Sequence, residues 1–211
     1  MSLHRIKIST TKSTGMLPEA QRCAAKYQLN KFLKAMPKDT RAYIAGGAPR
    51  DWHHGWGCRD VDIFFSVPED YESLTQATQH LSQFKMLGEA YGVDYSYGCG
   101  EQGINAIYEY PIHQGSLKYR KVQLIWLRKK PLGVIQDFPI NMSHIWMDSA
   151  GRITCNHNYA WGYNSGIIRP VNDTQYIYPY LEKLLPRYSS YCFIPATWNG
   201  KENIQDPIDT E

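Results

Sequence analysis

The sequence lacks the signatures of disulfide-bonded, secreted and membrane-spanning proteins. It has five cysteines, no two of which form a Cys-x-x-Cys pair: Cys23, Cys58, Cys99, Cys155 and Cys192. Neither a structural zinc site nor a disulfide framework is therefore indicated. The N-terminus has no apolar segment typical of a signal peptide, and no run approaches the roughly 20 apolar residues that a membrane span needs. We therefore expect a cytoplasmic protein that does not enter a membrane.

An excess of charge of one sign is also lacking. The formal net charge is +3, which does not distinguish a nucleic-acid-binding protein from one with solvated surface lysines. Aromatic residues are abundant, with 16 Tyr and 6 Trp, and they suit either a broad core or a stacking surface. The densest basic run is Arg128-Lys129-Lys130. It is explained by a solvated face, or it steers a triphosphate or an RNA.

Predicted helices and strands follow one another in an irregular order. Apolar residues at helical spacing predict helices over 18–35, 68–84 and 176–188. Alternating or continuous apolar runs predict strands at 41–45 and 61–67, a hairpin from 103–112 and 116–128, and a small hairpin over 147–155. Because strands and helices do not alternate regularly, we expect an α+β domain and not a doubly wound sheet.

Two acidic residues enter a buried strand at alternate positions. Asp60 and Asp62 precede the apolar run Ile63–Phe65, so their side chains project from one face of the strand, about 7 Å apart. Carboxylates held this way repel each other unless a cation lies between them. Magnesium accepts one or two protein carboxylates and fills its other positions with water and phosphate oxygens. Metal ligation is favoured over the alternative, an edge strand with solvated acids, because the run that follows is apolar.

A doubled glycine precedes these acids at the end of a predicted strand. Gly46 and Gly47 permit positive φ and a close approach to a phosphate, and the following short helix offers free N–H groups; an ordinary turn is the alternative. Arg50 and Asp51 are expected to form a local ion pair that fixes the start of the helix and positions this turn. The adjacent His53-His54 pair either contacts phosphate or packs against the protein.

Three segments together resemble one enzyme family. The pattern GGAPRDWHHGWGCRDVDI over 46–63 resembles the signature of polymerase-β-like nucleotidyltransferases, in the branch of tRNA CCA-adding enzymes and bacterial poly(A) polymerases. QDFPINM over 136–142 resembles the second motif of that branch, and GIIRPVND over 166–173 resembles the stretch that closes its head domain. The resemblance implies a polymerase-β palm-like fold with a mixed sheet flanked by helices. It also implies a head domain over 1–174, followed by a truncated neck-like helix and tail over 175–211.

The resemblance further implies Mg²⁺-dependent transfer of NMP from a nucleoside triphosphate such as ATP to a hydroxyl group, first of all at an RNA or tRNA 3′ end. Asp60 and Asp62 would be the catalytic metal ligands. The residues that would contact the nucleotide are Gly46, Gly47, Arg50, Asp51, Asp137 and Asn141, of which the last two would contact the ribose.

The chain departs from the family pattern in ways that keep other functions open. Ile135 and Gln136 stand where the second motif has two arginines, and the neck motif that selects CTP or ATP has no counterpart at its spacing. Gln123 stands where many members carry a third carboxylate, with Glu109 on the adjacent strand as a substitute. A second hypothesis is therefore a catalytically lapsed domain that binds nucleotide, RNA or a protein partner. A third is a nucleotidyltransferase that acts on protein or a small molecule.

Overall fold

The computed structural model describes residues 3–5, 16–68, 85–89, 103–111, 121–171 and 177–195. Its strands are β1 (Leu3–Arg5), β2 (Arg41–Ala45), β3 (Asp60–Ser66), β4 (Lys85–Glu89), β5 (Ile104–Pro111), β6 (Lys121–Leu127), β7 (Ile145–Met147), β8 (Ile153–Asn156), β9 (Ile167–Ile168) and β10 (Cys192–Phe193). Its helices are α1 (Met16–Ala35), α2 (Gly47–His53), α3 (Pro131–Gln136), α4 (His157–Ser165) and α5 (Ile177–Leu184). Short 3-10 helices lie at Asn141–Ser143 and Leu185–Tyr188.

The described residues form a mixed sheet in the order β1-β8-β7-β2-β3-β6-β5-β4. Strand β3 runs antiparallel to β2 and parallel to β6, while β5 and β6 pair antiparallel, as do β7 and β8. Both predicted hairpins and the α+β class are therefore confirmed. The helix predicted over 68–84 lies outside the described residues except for Pro68.

Helix α1 covers one face of the sheet and confirms the prediction over 18–35. Its buried stripe includes Ala25, Leu29 and Phe32, and the Phe32 ring meets Phe65 of β3 edge-on with the ring centroids 4.8 Å apart. Burial of such a side chain contributes about 1.5–3 kcal/mol. Glu19 lies in the first turn and Lys34 in the last, where each charge is favoured by the helix dipole.

The opposite face of β3 is covered as well. Phe64 packs against Phe138, which follows α3, with the ring centroids 5.4 Å apart. Side chains alternate along a strand, so Phe64 and Phe65 point to opposite layers. Covering on both faces explains why β3 is an almost continuous apolar run after its two acids.

The structure adds a helix, α4, that the apolar pattern does not predict. Asn156 caps it, because its side-chain oxygen accepts a hydrogen bond from the Tyr159 amide at 3.2 Å, and Gly166 ends it with φ 67°. Within α4, a Cβ on Gly162 would collide with Nδ2 of Asn141 and lie 2.9 Å from the carbonyl oxygen of Ile167. Glycine is required here by close packing and not by backbone conformation.

The last described segment, 177–195, folds back onto the domain. Strand β10 pairs in parallel with β9, Cys192 opposite Ile167, and Tyr180 and Tyr188 are buried. The boundary proposed after residue 174 stays a prediction. No helix in the described ranges is both long and apolar enough to cross a membrane.

Candidate active site

The doubled glycine forms a tight bend between β2 and α2, and its two members differ. Gly46 has φ 77° and ψ −126°, a conformation that a residue with a side chain rarely adopts. A Cβ on Gly47, by contrast, would lie 3.6 Å from Nη2 of Arg50, which is an ordinary contact. The backbone geometry of the bend therefore explains Gly46, whereas α2 begins at Gly47 in helical conformation.

The sheet register brings this bend beside the acids. In the antiparallel pairing of β2 with β3, Ala45 lies opposite Asp62. Directly opposed residues in such a pair have their Cα atoms about 4.5–5.5 Å apart. Since Gly46 follows Ala45 directly, Asp62 lies next to the bend, and Asp60 lies two residues further along the same face of β3. The predicted convergence of the glycine bend and the paired acids is therefore present in the fold.

The environment of the two carboxylates fits a divalent cation. The Asp60 side chain is 30% exposed and Asp62 is half-buried. Oδ1 of Asp60 is buried and makes no hydrogen bond to the described residues, while Oδ2 is 3.8 Å from Nε of Arg59. A buried carboxylate oxygen without a donor is costly, and a bound cation would remove that cost. Two carboxylates match the small number of protein ligands that Mg²⁺ takes when it also binds phosphate.

Among the residues that the structure describes, the neighbours of Asp62 in the sheet are Ala45 of β2 and Gln123 of β6, neither of them acidic. Gln123 of β6 is the neighbour of Asp62 in the parallel pairing, and Glu109 of β5 is the neighbour of Gln123 on the far side. Two strand spacings place the backbones of Glu109 and Asp62 about 10 Å apart. In the part of the chain that the structure describes, no three His, Cys, Asp or Glu side chains group as a metal site. The role of Glu109 stays a prediction.

A buried glutamine holds the loop that leads into the acids. Gln21 of α1 accepts a hydrogen bond from the Cys58 amide at 2.8 Å through Oε1 and donates one to the Cys58 carbonyl at 3.2 Å through Nε2. The indole Nε1 of Trp52 also donates to Gln21 Oε1, at 3.4 Å. Since Cys58 is two residues before Asp60, Gln21 fixes the start of β3 relative to α1 and α2. No local motif marks Gln21, so the sequence does not reveal this role.

Arg50 and Asp51 form the predicted ion pair and also anchor the C-terminal segment. Nε of Arg50 lies 3.6 Å from Oδ1 of Asp51, and Nη1 of Arg50 donates to the Tyr180 hydroxyl at 2.6 Å. Oδ2 of Asp51 binds Nη1 of Arg187 at 2.8 Å, while the Tyr188 hydroxyl donates to Oδ1 at 3.3 Å. Both members of the pair are buried, so they join α2 to the segment 177–195 through the interior.

Arg187 extends this anchor to the loop before the acids. Its Nη2 donates to the carbonyl oxygen of Gly57, and its guanidinium carbon lies 5.6 Å from the Trp56 ring centroid. Burial raises the pKa of the Asp51 carboxyl above its usual value, and the Arg50 and Arg187 guanidinium groups oppose that effect. We call Arg50, Asp51, Arg187 and Tyr188 the clamp.

His53 and His54 are packing residues in this structure. Nδ1 of His54 donates to the Arg50 carbonyl oxygen at 2.8 Å, which leaves Nε2 of the neutral ring to accept from the Tyr191 hydroxyl at 3.0 Å. His53 Nδ1 hydrogen-bonds with the Tyr159 hydroxyl at 2.8 Å. Burial lowers the pKa of each imidazole from 6.5 to about 4, and the neighbouring His54 lowers the pKa of His53 further. Both rings are therefore neutral at pH 7.

We expect these histidines to make the protein acid-sensitive. Between pH 6.5 and 4 the unfolded chain binds protons at both rings that the folded chain excludes. Their contribution to stability is therefore complete above pH 6.5 and falls as the pH falls, by up to about 1.4 kcal/mol per pH unit for each histidine. Urea unfolding at pH 7.5, 6 and 5 would measure the slope.

The control for this experiment is His53→Gln, which should have a shallower slope than the wild type. The lowered pKa of His144 acts in the same direction and the raised pKa of Asp51 in the opposite one, but both groups are present in the two proteins. Equal slopes in wild type and variant would contradict the assignment of His53 as a buried neutral ring.

Asn141 and Asp137, the predicted ribose contacts, have different surroundings. Asn141 is fully buried: its Oδ1 accepts from the Met142 and Arg169 amides at 2.9 and 3.0 Å, and its Nδ2 donates to the Ile167 carbonyl at 2.9 Å. Its amide thus joins the second and third predicted motifs. Asp137 ends α3 and is exposed. Contact of either residue with a ribose stays a prediction.

Comparison with known structures supports the fold. The chain aligns over 92% of its length with 43% of the Thermotoga maritima CCA-adding enzyme complexed with tRNA, at 11% identity and a TM-score of 0.55. It aligns over 90% of its length with 46% of a tRNA-processing enzyme, at 15% identity and a TM-score of 0.54. It also aligns over 92% of its length with 44% of a CCA-adding enzyme in complex with ATP, at 11% identity and a TM-score of 0.54.

The chain shares its fold with parts of these CCA-adding and tRNA-processing enzymes. It spans less than half the length of the structures it matches, and these identities establish the fold alone. The sequence matches no protein-family profile and no curated protein. The α+β expectation and the resemblance at the level of the fold are thus supported, while membership of the enzyme family and of its branch stays a prediction.

Proposed function

We propose that the protein is a Mg²⁺-dependent nucleotidyltransferase that transfers NMP from a nucleoside triphosphate to a hydroxyl group at an RNA 3′ end. The observation that carries the proposal is the register of Ala45 with Asp62, which puts the Gly46 bend and the two same-face carboxylates at one end of neighbouring strands. The fold that the chain shares with CCA-adding and tRNA-processing enzymes supports it.

The chain's own residues would bind and orient the reactants. Asp60 and Asp62 would hold Mg²⁺, which when bound supplies positive charge to the triphosphate and to the attacking oxygen. The backbone N–H groups of the Gly46-Gly47 bend would donate to phosphate oxygens. The acceptor oxygen then bonds to the α-phosphorus, the bond to pyrophosphate breaks, and the hydroxyl proton passes to solvent.

The remaining predicted site residues would act by positioning the glycine bend and the surface that faces the nucleotide. Arg50 and Asp51 would position the bend through the clamp, and Asn141 would hold the segment that carries Asp137 at the surface. The choice of RNA as acceptor draws on matched enzymes that act on tRNA or were solved with tRNA and ATP.

A catalytically lapsed nucleotide-binding domain is the second candidate. It is favoured by one observation, the amide of Gln123 at the register position beside Asp62, where a third acid would serve as a base. Such a domain would still bind Mg²⁺ and a triphosphate, because both carboxylates of β3 are retained.

A labelled-nucleotide assay tests the proposal. The protein is incubated with each α-labelled NTP, Mg²⁺ and total tRNA or total RNA, and the label is followed into RNA, protein and small molecules, with EDTA as the control. Label on RNA that EDTA abolishes is the expected result. Label on protein alone would replace the RNA acceptor, and binding of Mg-NTP by calorimetry without any transfer would favour the lapsed domain. The absence of both label transfer and Mg-NTP binding would refute both functions.

A further inference from the structure

A basic pocket lies at the opposite end of β2 and β3 from the two acids. Its volume is about 470 Å³, and the charged residues that line it are Asp39, Arg41, Arg128 and Lys130. Ser66, which also lines the pocket, is six positions after Asp60 in β3, a distance of about 20 Å along the strand. The pocket is therefore separate from the candidate active site and is not needed to hold the triphosphate there.

Three separate parts of the chain build this pocket. The turn after α1 is closed by a hydrogen bond from the Thr40 amide to the Pro37 carbonyl at 3.1 Å, and it holds Asp39 at φ 73°. Strand β2 then begins at Arg41. The second part is the end of β3, where Ser66 lies opposite Arg41 in the register of the two strands. Positive φ is uncommon outside glycine, although Asp tolerates it better than most residues. The turn thus sets Asp39 beside the start of β2.

The third part is the connection from β6 to α3, which contains the basic run singled out in the sequence. The Arg128 amide donates to the Gly103 carbonyl at 2.7 Å, and the Lys130 carbonyl accepts from the Gly133 amide at 3.0 Å where α3 begins. The backbone on either side of Lys129 is therefore held by hydrogen bonds. The fold converts a linear run of charges into one wall of a concave site, with Arg41 contributed by another segment.

The chemistry of the pocket combines cations with one carboxylate. Arg41, Arg128 and Lys130 are exposed and can neutralise phosphate groups. Asp39, also at the rim, would repel a phosphate but can accept a hydrogen bond from a hydroxyl group. Phosphates and hydroxyls occur together in the RNA backbone, and the ribose 2′-hydroxyl is what distinguishes RNA from DNA.

We infer that this pocket binds the ribose-phosphate backbone of a single-stranded RNA acceptor upstream of its reacting end. The inference rests on the proposed function in one respect, the choice of RNA as acceptor. Arg41, Arg128 and Lys130 bind phosphodiester oxygens, and Asp39 accepts a hydrogen bond from a ribose hydroxyl. The pocket thereby adds an RNA contact far from the acids, so that RNA affinity and nucleotide affinity depend on different residues.

Fluorescence anisotropy with a labelled RNA of about 12 nucleotides, a length that a short binding groove can accommodate, tests this site. The test variant is the double substitution Arg128→Gln/Lys130→Gln. The control is Lys26→Gln/Lys31→Gln, which removes the same charge from exposed positions of α1. The test variant should bind RNA about tenfold or more weakly at about 0.1 M salt. The slope of the logarithm of its binding constant against the logarithm of salt concentration should be smaller by about 1.4, because two phosphate contacts are lost. The RNA affinity of the control should change by less than about twofold.

The Asp39→Asn variant examines the hydroxyl contact. The same sequence is made as RNA and as DNA, and the ratio of the two dissociation constants is compared with that of the wild type. We expect the preference for RNA to fall in Asp39→Asn, because the amide is a weaker acceptor than the carboxylate. An unchanged ratio would overturn the assignment of Asp39.

Failure of this inference can be told from failure of the proposed function. Equal RNA affinity of the Arg128→Gln/Lys130→Gln protein and the Lys26→Gln/Lys31→Gln protein overturns the pocket, even if both label RNA at the wild-type rate and so support the transferase. Weaker RNA binding with unchanged Mg-NTP binding supports the pocket, and unchanged Mg-NTP binding also shows that the variant is folded. Absence of RNA binding by the wild type overturns the pocket, while Mg-NTP binding still tests the active site independently.

Discussion

Replacing Asp62 with Asn is expected to reduce nucleotidyl transfer about a thousandfold while leaving the fold intact. Asp62 lies opposite Ala45 and beside the Gly46 bend, and the amide would remove one of two negative charges available to the cation. A thousandfold loss corresponds to about 4 kcal/mol, within the several kcal/mol that a bound metal contributes to transition-state stabilisation. Stability should change by less than about 1 kcal/mol, because the substitution preserves shape and relieves repulsion from Asp60.

The measurement is single-turnover transfer of label to RNA together with a urea unfolding curve for the same preparation. Asp148→Asn serves as the matched control, since Asp148 pairs with the exposed Arg152 at 2.6 Å and belongs neither to β3 nor to the Gly46-Gly47 bend. That control should retain nearly full activity. A stable Asp62→Asn protein that turns over at the wild-type rate would refute metal binding by this carboxylate, and a large loss of stability with retained turnover would assign Asp62 a structural role.

Replacing Asp51 with Ala is expected to lower the free energy of unfolding by about 3–5 kcal/mol, the cost typical of removing one partner from a buried ion pair. Only 4% of the Asp51 side chain is exposed, and its carboxylate meets Arg50, Arg187 and the Tyr188 hydroxyl. The variant leaves the Arg50 guanidinium, itself only 7% exposed, without its carboxylate neighbour. Loss of this carboxylate beside a buried guanidinium supplies most of the cost.

The chain offers a control with a similar ion pair at the surface. Asp148→Ala breaks the pair with Arg152, whose side chain is 59% exposed, and the hydrogen bond from the Arg152 amide to Asp148 Oδ1. It should cost about 1–2 kcal/mol, less than Asp51→Ala, because the guanidinium of Arg152 stays in water. Urea unfolding compares the two variants. A double-mutant cycle with Arg187→Met separates the coupling of Asp51 to Arg187 from the rest of the clamp. Equal losses for Asp51→Ala and Asp148→Ala would show that the clamp does not stabilise the fold.

Elements with a local signal were predictable from the sequence. The stripe of α1, the apolar run of β3 and the two hairpins each carry a pattern that the chain displays within one segment. The convergence of Gly46 with Asp62 was predictable too, because a short connection between neighbouring strands leaves the bend and the acids at the same end of the sheet.

Long-range contacts were not predictable. Helix α4 is only weakly amphipathic, and its clearest signals are the Asn156 cap and the Gly166 end, which the apolar pattern does not detect. Gln21 and Arg187 become important only when chain folding brings them to Cys58 and Asp51 respectively. A residue whose partner is more than a hundred positions away, as Arg187 is from Asp51, carries no mark of that partner in its own neighbourhood.

Asn141 shows a further limit of inference from motifs. The resemblance assigns it to the ribose, and in the fold its amide meets three backbone groups across two of the family-like segments. Such an arrangement explains why an Asn is needed there whether or not a nucleotide is present. A motif residue can therefore be required for the architecture that the chemistry depends on.

The pairing of β10 with β9 changes how the clamp should be understood. Because Cys192 and Phe193 are held against Ile167 and Ile168, the stretch between the two strands is tethered at both of its ends. Tethering gives Arg187 a high effective concentration near Asp51, so their encounter is intramolecular and quickly repeated after each separation. The contacts of the clamp then keep α2 and its preceding bend steadily in place.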